Sequence, residues 1–235
     1  MENFTRRNFI NMATKILTGA AIFGIAPNFV EAAEKVGEDK IIPLEETFLD
    51  PIKEAKEILP FEMPHIRRFK PLAELKIGGQ NLNFVSFMDQ RRFTSAIVVH
   101  HAGMTYNGDM SLKAIHDLHL GNGWAGVGYH FIVHQDGKID RARPIDRIGA
   151  HAYAHNRYTV GICMTGNFDI GVPPAAQTLS AEMLVAALCH HYDIIPSRQT
   201  IFGHRDLCDT SCPGYNFYPR LPELIGNVER ALRRA

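Results

Sequence analysis

The chain has 235 residues, with 25 basic against 25 acidic side chains, 46% hydrophobic and 21% charged residues. That balance sits near the middle of the globular range and excludes a disordered chain, a collagen-like repeat and a coiled-coil rod. A formal net charge of zero removes the broad basic field that nucleic-acid binding needs, so no nucleic acid is expected as partner.

In chain order, the first segment reads as an export signal and is set apart from the fold. Thr5-Arg6-Arg7-Asn8-Phe9-Ile10 precedes a mildly apolar run from Met12 to Val30 and the small residues Ala32-Ala33, the layout of a cleavable leader. Residues 1–32 resemble a twin-arginine signal, with cleavage expected near Ala32 or Ala33 and a retained short anchor as the alternative. Lys15, Gly19, Gly24 and Pro27 interrupt the apolar run, so no stable membrane span is expected in the mature form. The mature protein is expected outside the cytoplasm, in a periplasmic or similar space.

Residues 33–92 mix charge and proline with short apolar patches and show no sustained period, so they read as an extension wrapping the downstream domain. Within them Glu54–Leu59 can form a turn or two of helix, and Leu82–Phe87 an edge strand. The pattern changes at Phe93, and residues 93–235 read as one catalytic-sized domain. Ala96-Ile97-Val98-Val99 is a continuous apolar run, the mark of a strand buried on both faces, and it delivers His100 at its end. Ser111 can cap a helix carrying Leu112, Ile115 and Leu118 at near-helical spacing and ending at Gly121-Asn122-Gly123. Tyr129–His134 and Lys138–Arg141 flank Gln135-Asp136-Gly137, a hairpin signal. Tyr158–Met164 reads as a strand. Thr178 is the expected cap of a long helix lined by Val185, Leu188, Cys189 and Tyr192. A short strand, Thr200–Phe202, precedes His204, and Leu221–Arg234 is amphipathic with Leu224, Val228 and Leu232 inward. Interleaved strands and helices make the class α/β, with a central mixed sheet flanked by helices.

Twelve histidines occur, eight of them between His100 and His155. Three chemically apt positions lie at strand ends or in a Gly-Pro loop: His100, His204 after Gly203, and Cys212 before Pro213-Gly214. Two histidines and a cysteine are a donor set for catalytic zinc, which keeps a fourth position open. No His-Glu-x-x-His and no Cys-x-x-Cys occurs, which excludes a helix-borne zinc peptidase and a zinc ribbon. In an exported protein the alternative for Cys212 is a disulfide with Cys208. Cys163 and Cys189 read as buried small hydrophobes.

Taken together, Ala96-Ile97-Val98-Val99-His100-His101, Val127-Gly128-Tyr129-His130-Phe131, Gly149-Ala150-His151-Ala152, Gly203-His204-Arg205-Asp206 and Cys212-Pro213-Gly214 resemble the type 2 N-acetylmuramoyl-L-alanine amidases, the family of phage T7-type lysozyme and the peptidoglycan recognition proteins. The resemblance spans about residues 93 to 225. It implies a zinc hydrolase that cuts the amide between N-acetylmuramic acid and L-alanine in peptidoglycan or muropeptides; a monomer is expected. Carried over by position, it implies His100, His204 and Cys212 as zinc ligands and Tyr129 and Thr210 as catalytic residues. His151 and Asn156 would contact substrate, with His151 also a candidate proton shuttle. Thr210 places the chain nearer the recognition-protein amidases than the phage branch, which has lysine there. The paired cysteines that animal recognition proteins carry after the first histidine are absent. Of the adjacent histidines, the resemblance aligns His100 with the metal, and His101 then points to the opposite face. The alternative function is a non-catalytic peptidoglycan-binding module; recognition proteins that only bind usually lack a zinc ligand, whereas His100, His204 and Cys212 are all present here.

Overall fold

The computed structural model describes residues 58–234. The proposed leader and residues 33–57 lie outside the described residues, and no helix among those described is long and apolar enough to cross a membrane. Six strands form one mixed sheet: β1 Ile77–Gly79, β2 Ala96–His101, β3 Phe131–Val133, β4 Ile139–Arg141, β5 Thr159–Met164 and β6 Ile201–Gly203, in the order β1-β4-β3-β5-β2-β6. All neighbours pair in parallel except the β3–β4 hairpin. The hairpin turns where Asp136-Gly137 required, with Gly137 at a φ of 88°. That left-handed conformation is open to glycine at little cost.

Side-chain alternation divides the sheet into two apolar faces. Ile97, Val99, Phe131, Val133, Val160, Ile162 and Met164 face helices α2 (Ala175–His191) and α3 (Leu221–Leu232), whereas Ile132 and Cys163 face helix α1 (Leu112–Gly121). His100 follows Val99 in this alternation and falls on the α1 side. His101 falls on the other, where its Nδ1 accepts from the Phe168 amide at 2.9 Å.

Several expectations need correction. Leu82–Phe87 is not a strand; the outer strand is β1, paired with β4. Its Ile77 and, before it, Phe61, Met63, Ile66, Phe69, Leu72 and Leu75 pack into the main core, so this stretch contributes fold. Glu54–Leu59 lies mostly outside the described residues, and Ile58 and Leu59 are not helical. Ser111 caps α1, its hydroxyl accepting from the Ala114 amide at 3.2 Å. Leu118, however, is 49% exposed, and the inward stripe is Leu112, Ile115, His116 and His119. At 100° per residue those four share one face and Leu118 lies at its margin. Thr178 does not cap α2, because the helix starts at Ala175 after Pro174 and the Thr178 hydroxyl donates to the Pro174 carbonyl from within the first turn. Residues 175–177 are already helical, so the Thr178 amide and hydroxyl both donate back to the Pro174 carbonyl and its side chain is not free to cap the amides that follow.

Candidate metal and substrate site

The strand register builds the heart of the site. β2 and β6 run parallel with Val99 opposite Gly203, so the next residues, His100 and His204, leave adjacent strand ends together, their rings 4.4 Å apart. His204 opens a turn held by Asp206, whose carboxylate accepts from the Gly203 amide at 2.7 Å and from Arg198. The chain then loops back: the Arg205 amide donates to the Cys212 carbonyl at 2.8 Å, and the His101 amide donates to Cys212 Sγ at 3.3 Å. One donor atom from each of His100, His204 and Cys212 lies within 4.8 Å of the others. All four cysteines are free, which overturns the Cys208–Cys212 disulfide alternative.

Burial sets the charge state of this group. It holds His100 well below the usual imidazole range, with the neighbouring His151 adding to the effect, and it lowers His204 as well. Both rings are therefore neutral with a free lone pair, the ligating form. Burial pushes the Cys212 thiol up to about 12. Two neutral imidazoles and a buried thiol suit zinc, whose charge offsets that of a thiolate.

Beside this centre, reached through His204, lies a cavity of about 490 Å³ walled also by Trp124, Tyr129, His151, Tyr153, Asn156 and Cys208. Tyr129 stands 5.1 Å, ring to ring, from His100, and burial raises its phenol well above the usual value. It thus keeps its proton as a donor. Two helix residues that sequence reasoning missed hold it there. His116 Nδ1 accepts from the Val127 amide at 3.2 Å, and His119 Nδ1 accepts from the Gly128 amide at 2.9 Å. The signal available was two histidines three apart on the apolar face of α1. Burial lowers His119 to about 4, so its acceptor nitrogen stays unprotonated.

The other expected residues lie close by but with defined tasks. Thr210 Oγ1 accepts from the Cys212 amide at 3.2 Å, and Thr210 is not among the residues lining the cavity. Asn156 Oδ1 accepts from the His151 and Ala152 amides, both at 2.9 Å, and so clamps that loop. His151 lies behind His100, with its Nδ1 3.0 Å from His100 Nε2.

Comparison with known proteins adds to this geometry. A family model described as N-acetylmuramoyl-L-alanine amidase matches residues 90–215. The endolysin of Enterobacteria phage K11 is 30% identical over 128 residues, which is 54% of this chain and 85% of the endolysin. The solved N-acetylmuramoyl-L-alanine amidase LysC from Clostridium intestinale superposes with a TM-score of 0.59 at 31% identity, covering 66% of this chain and 97% of LysC. A variant of Drosophila PGRP-LB in complex with tracheal cytotoxin superposes with a TM-score of 0.52 at 27% identity, covering 57% and 84% of the two chains.

Proposed function

The chain belongs to the N-acetylmuramoyl-L-alanine amidase family, and from that premise we propose that it is a zinc-dependent hydrolase of the amide joining N-acetylmuramic acid to L-alanine in peptidoglycan or muropeptides. The observation that carries the reading is the meeting of the His100, His204 and Cys212 donor atoms, with His204 and Tyr129 in the wall of a cavity of about 490 Å³. Those three residues would hold zinc, which when bound supplies Lewis-acid polarisation of the scissile carbonyl and an acidified water. Tyr129 keeps its phenol proton and donates it as a hydrogen bond to the oxygen that becomes negative in the transition state. The Thr210 hydroxyl oxygen accepts from the Cys212 amide, and from that place off the cavity wall it acts by holding the loop that carries Cys212. Trp124 and Tyr153, 43% and 89% exposed, offer flat apolar faces to the substrate at the cavity walls. His151 and Asn156 contribute wall surface.

We place the mature protein outside the cytoplasm as a monomer, with residues 1–32 as leader and an amidase domain whose core and sheet reach back from residue 93 to take in residues 61–79. The support for export is Arg6-Arg7, the apolar run and Ala32-Ala33. The test of the function is muropeptide turnover by the wild type beside His100→Ala and Cys212→Ala. Turnover by the first alone is expected. Equal turnover by all three would refute the assigned centre, and a folded, zinc-loaded wild type that leaves muropeptide intact would make the protein a binding module.

A further inference from the structure

We propose that His151 is a positioning residue that fixes the tautomer and orientation of His100 for metal binding, an inference that rests on the zinc reading above. A buried chain of hydrogen bonds sets the proton positions from its far end inward. The Thr159 hydroxyl donates to the His155 carbonyl at 2.8 Å, so its oxygen is left as acceptor toward His151 Nε2, 3.5 Å away. With the His151 proton on Nε2, its Nδ1 is an acceptor. The nitrogen facing that acceptor, His100 Nε2 at 3.0 Å, must then carry the His100 proton. The lone pair of His100 is thereby left on Nδ1, the nitrogen 3.7 Å from Cys212 Sγ. Every atom in the chain has one role, and the end of it is a lone pair aimed at the donor cluster.

The seat of the His151 ring is built for this. A Cβ on Gly161 would lie 2.5 Å from His151 Cδ2, and one on Gly149 would lie 2.4 Å from the same atom. Two glycines thus make room for the imidazole against β5, and the His151 amide is gripped by Asn156 Oδ1 at 2.9 Å. His151 and His100 are 7% and 1% exposed, which leaves little water to replace a lost partner. An imidazole ligand held by a second acceptor is pre-oriented and more basic, and loss of such a partner typically lowers metal affinity about 10- to 100-fold.

The test is zinc affinity of the full chain without substrate, measured by competition with a chromophoric chelator for wild type, His151→Phe, His151→Asn and Thr159→Val. The melting temperature of each metal-free protein is recorded alongside. His151→Phe fills the seat without an acceptor and should lose about 10- to 100-fold in affinity. His151→Asn places a carbonyl oxygen near the Nδ1 position and should recover most of the loss. Thr159→Val should weaken binding by a smaller factor while leaving every zinc ligand in place, which keeps the inference testable should His151→Phe fail to fold. Tight zinc binding by wild type with unchanged affinity in His151→Phe, or in Thr159→Val, would overturn the positioning role alone. Equal losses in His151→Phe and His151→Asn would also overturn it, because ring packing would then be the cause. A wild type that binds no zinc would overturn the metal reading and this inference with it.

Discussion

Glu182 is fully buried on α2, yet it is a carboxyl group, and its Oε2 accepts from the Ile66 amide at 3.1 Å while Oε1 accepts from Asn227 Nδ2 on α3. It therefore joins the segment before β1 to both helices behind the sheet. Burial raises its carboxyl from the ordinary 4.5 to about 7, outweighing the two hydrogen bonds that favour the charged form. The native state thus holds a proton that the unfolded chain has released over the window from about 4.5 to 7. Native stability carried by this group is complete below the lower value and is lost as pH rises through the upper one. At 1.36 kcal/mol per unit the loss is on the order of 3 kcal/mol. The perturbation is Glu182→Gln, which keeps shape and removes the ionisation. The assay is urea unfolding of wild type and variant at intervals from pH 4 to 8. Wild type should lose stability relative to the variant on rising from pH 4.5 to 7, while titrations common to both proteins cancel. A pH-independent difference between the two, or one that favours the wild type at high pH, would refute the reasoning.

Other outcomes rest on single contacts. Tyr129→Phe should retain zinc and lose about a hundredfold or more in turnover, the usual consequence of removing one oxyanion donor, with zinc content and initial rate as the two readouts. Gly128→Ala would set a Cβ 2.0 Å from the Ala150 carbonyl oxygen. Because that neighbour is backbone, the variant should be destabilised at the upper end of about 1–3 kcal/mol in urea unfolding. Ser111→Ala removes the cap of α1 and should cost about 1 kcal/mol, seen in the denaturation midpoint.

The parts of this molecule legible in its sequence are those where one local rule acts alone. The apolar run ending at His100, the Asp136-Gly137 turn and the Ser111 cap each combine residue type with position, and each appears as expected. The donor cluster was legible for a related reason. His100 and His204 both end short buried strands, and parallel pairing of such strands brings their ends together. Features that depend on non-local neighbours were not legible. β1 is a strand because the β4 edge is open to it, although Ile77-Gly78-Gly79 has little strand preference. Leu118 is exposed because α1 turns two histidines inward, where the backbone of residues 127–128 offers them donors. The place of His151 depends on Gly149 and Gly161, twelve residues apart in sequence, vacating the same space.

The most direct measurement of the central claim is mass spectrometry of muropeptides incubated with the purified protein, first as isolated, then after chelation, then after zinc is restored. A zinc amidase predicts free stem peptide with a new L-alanine amine in the first and third samples and intact muropeptide in the second. Cleavage unaffected by chelation, a cut at another bond, or intact muropeptide from folded, zinc-loaded protein would contradict it.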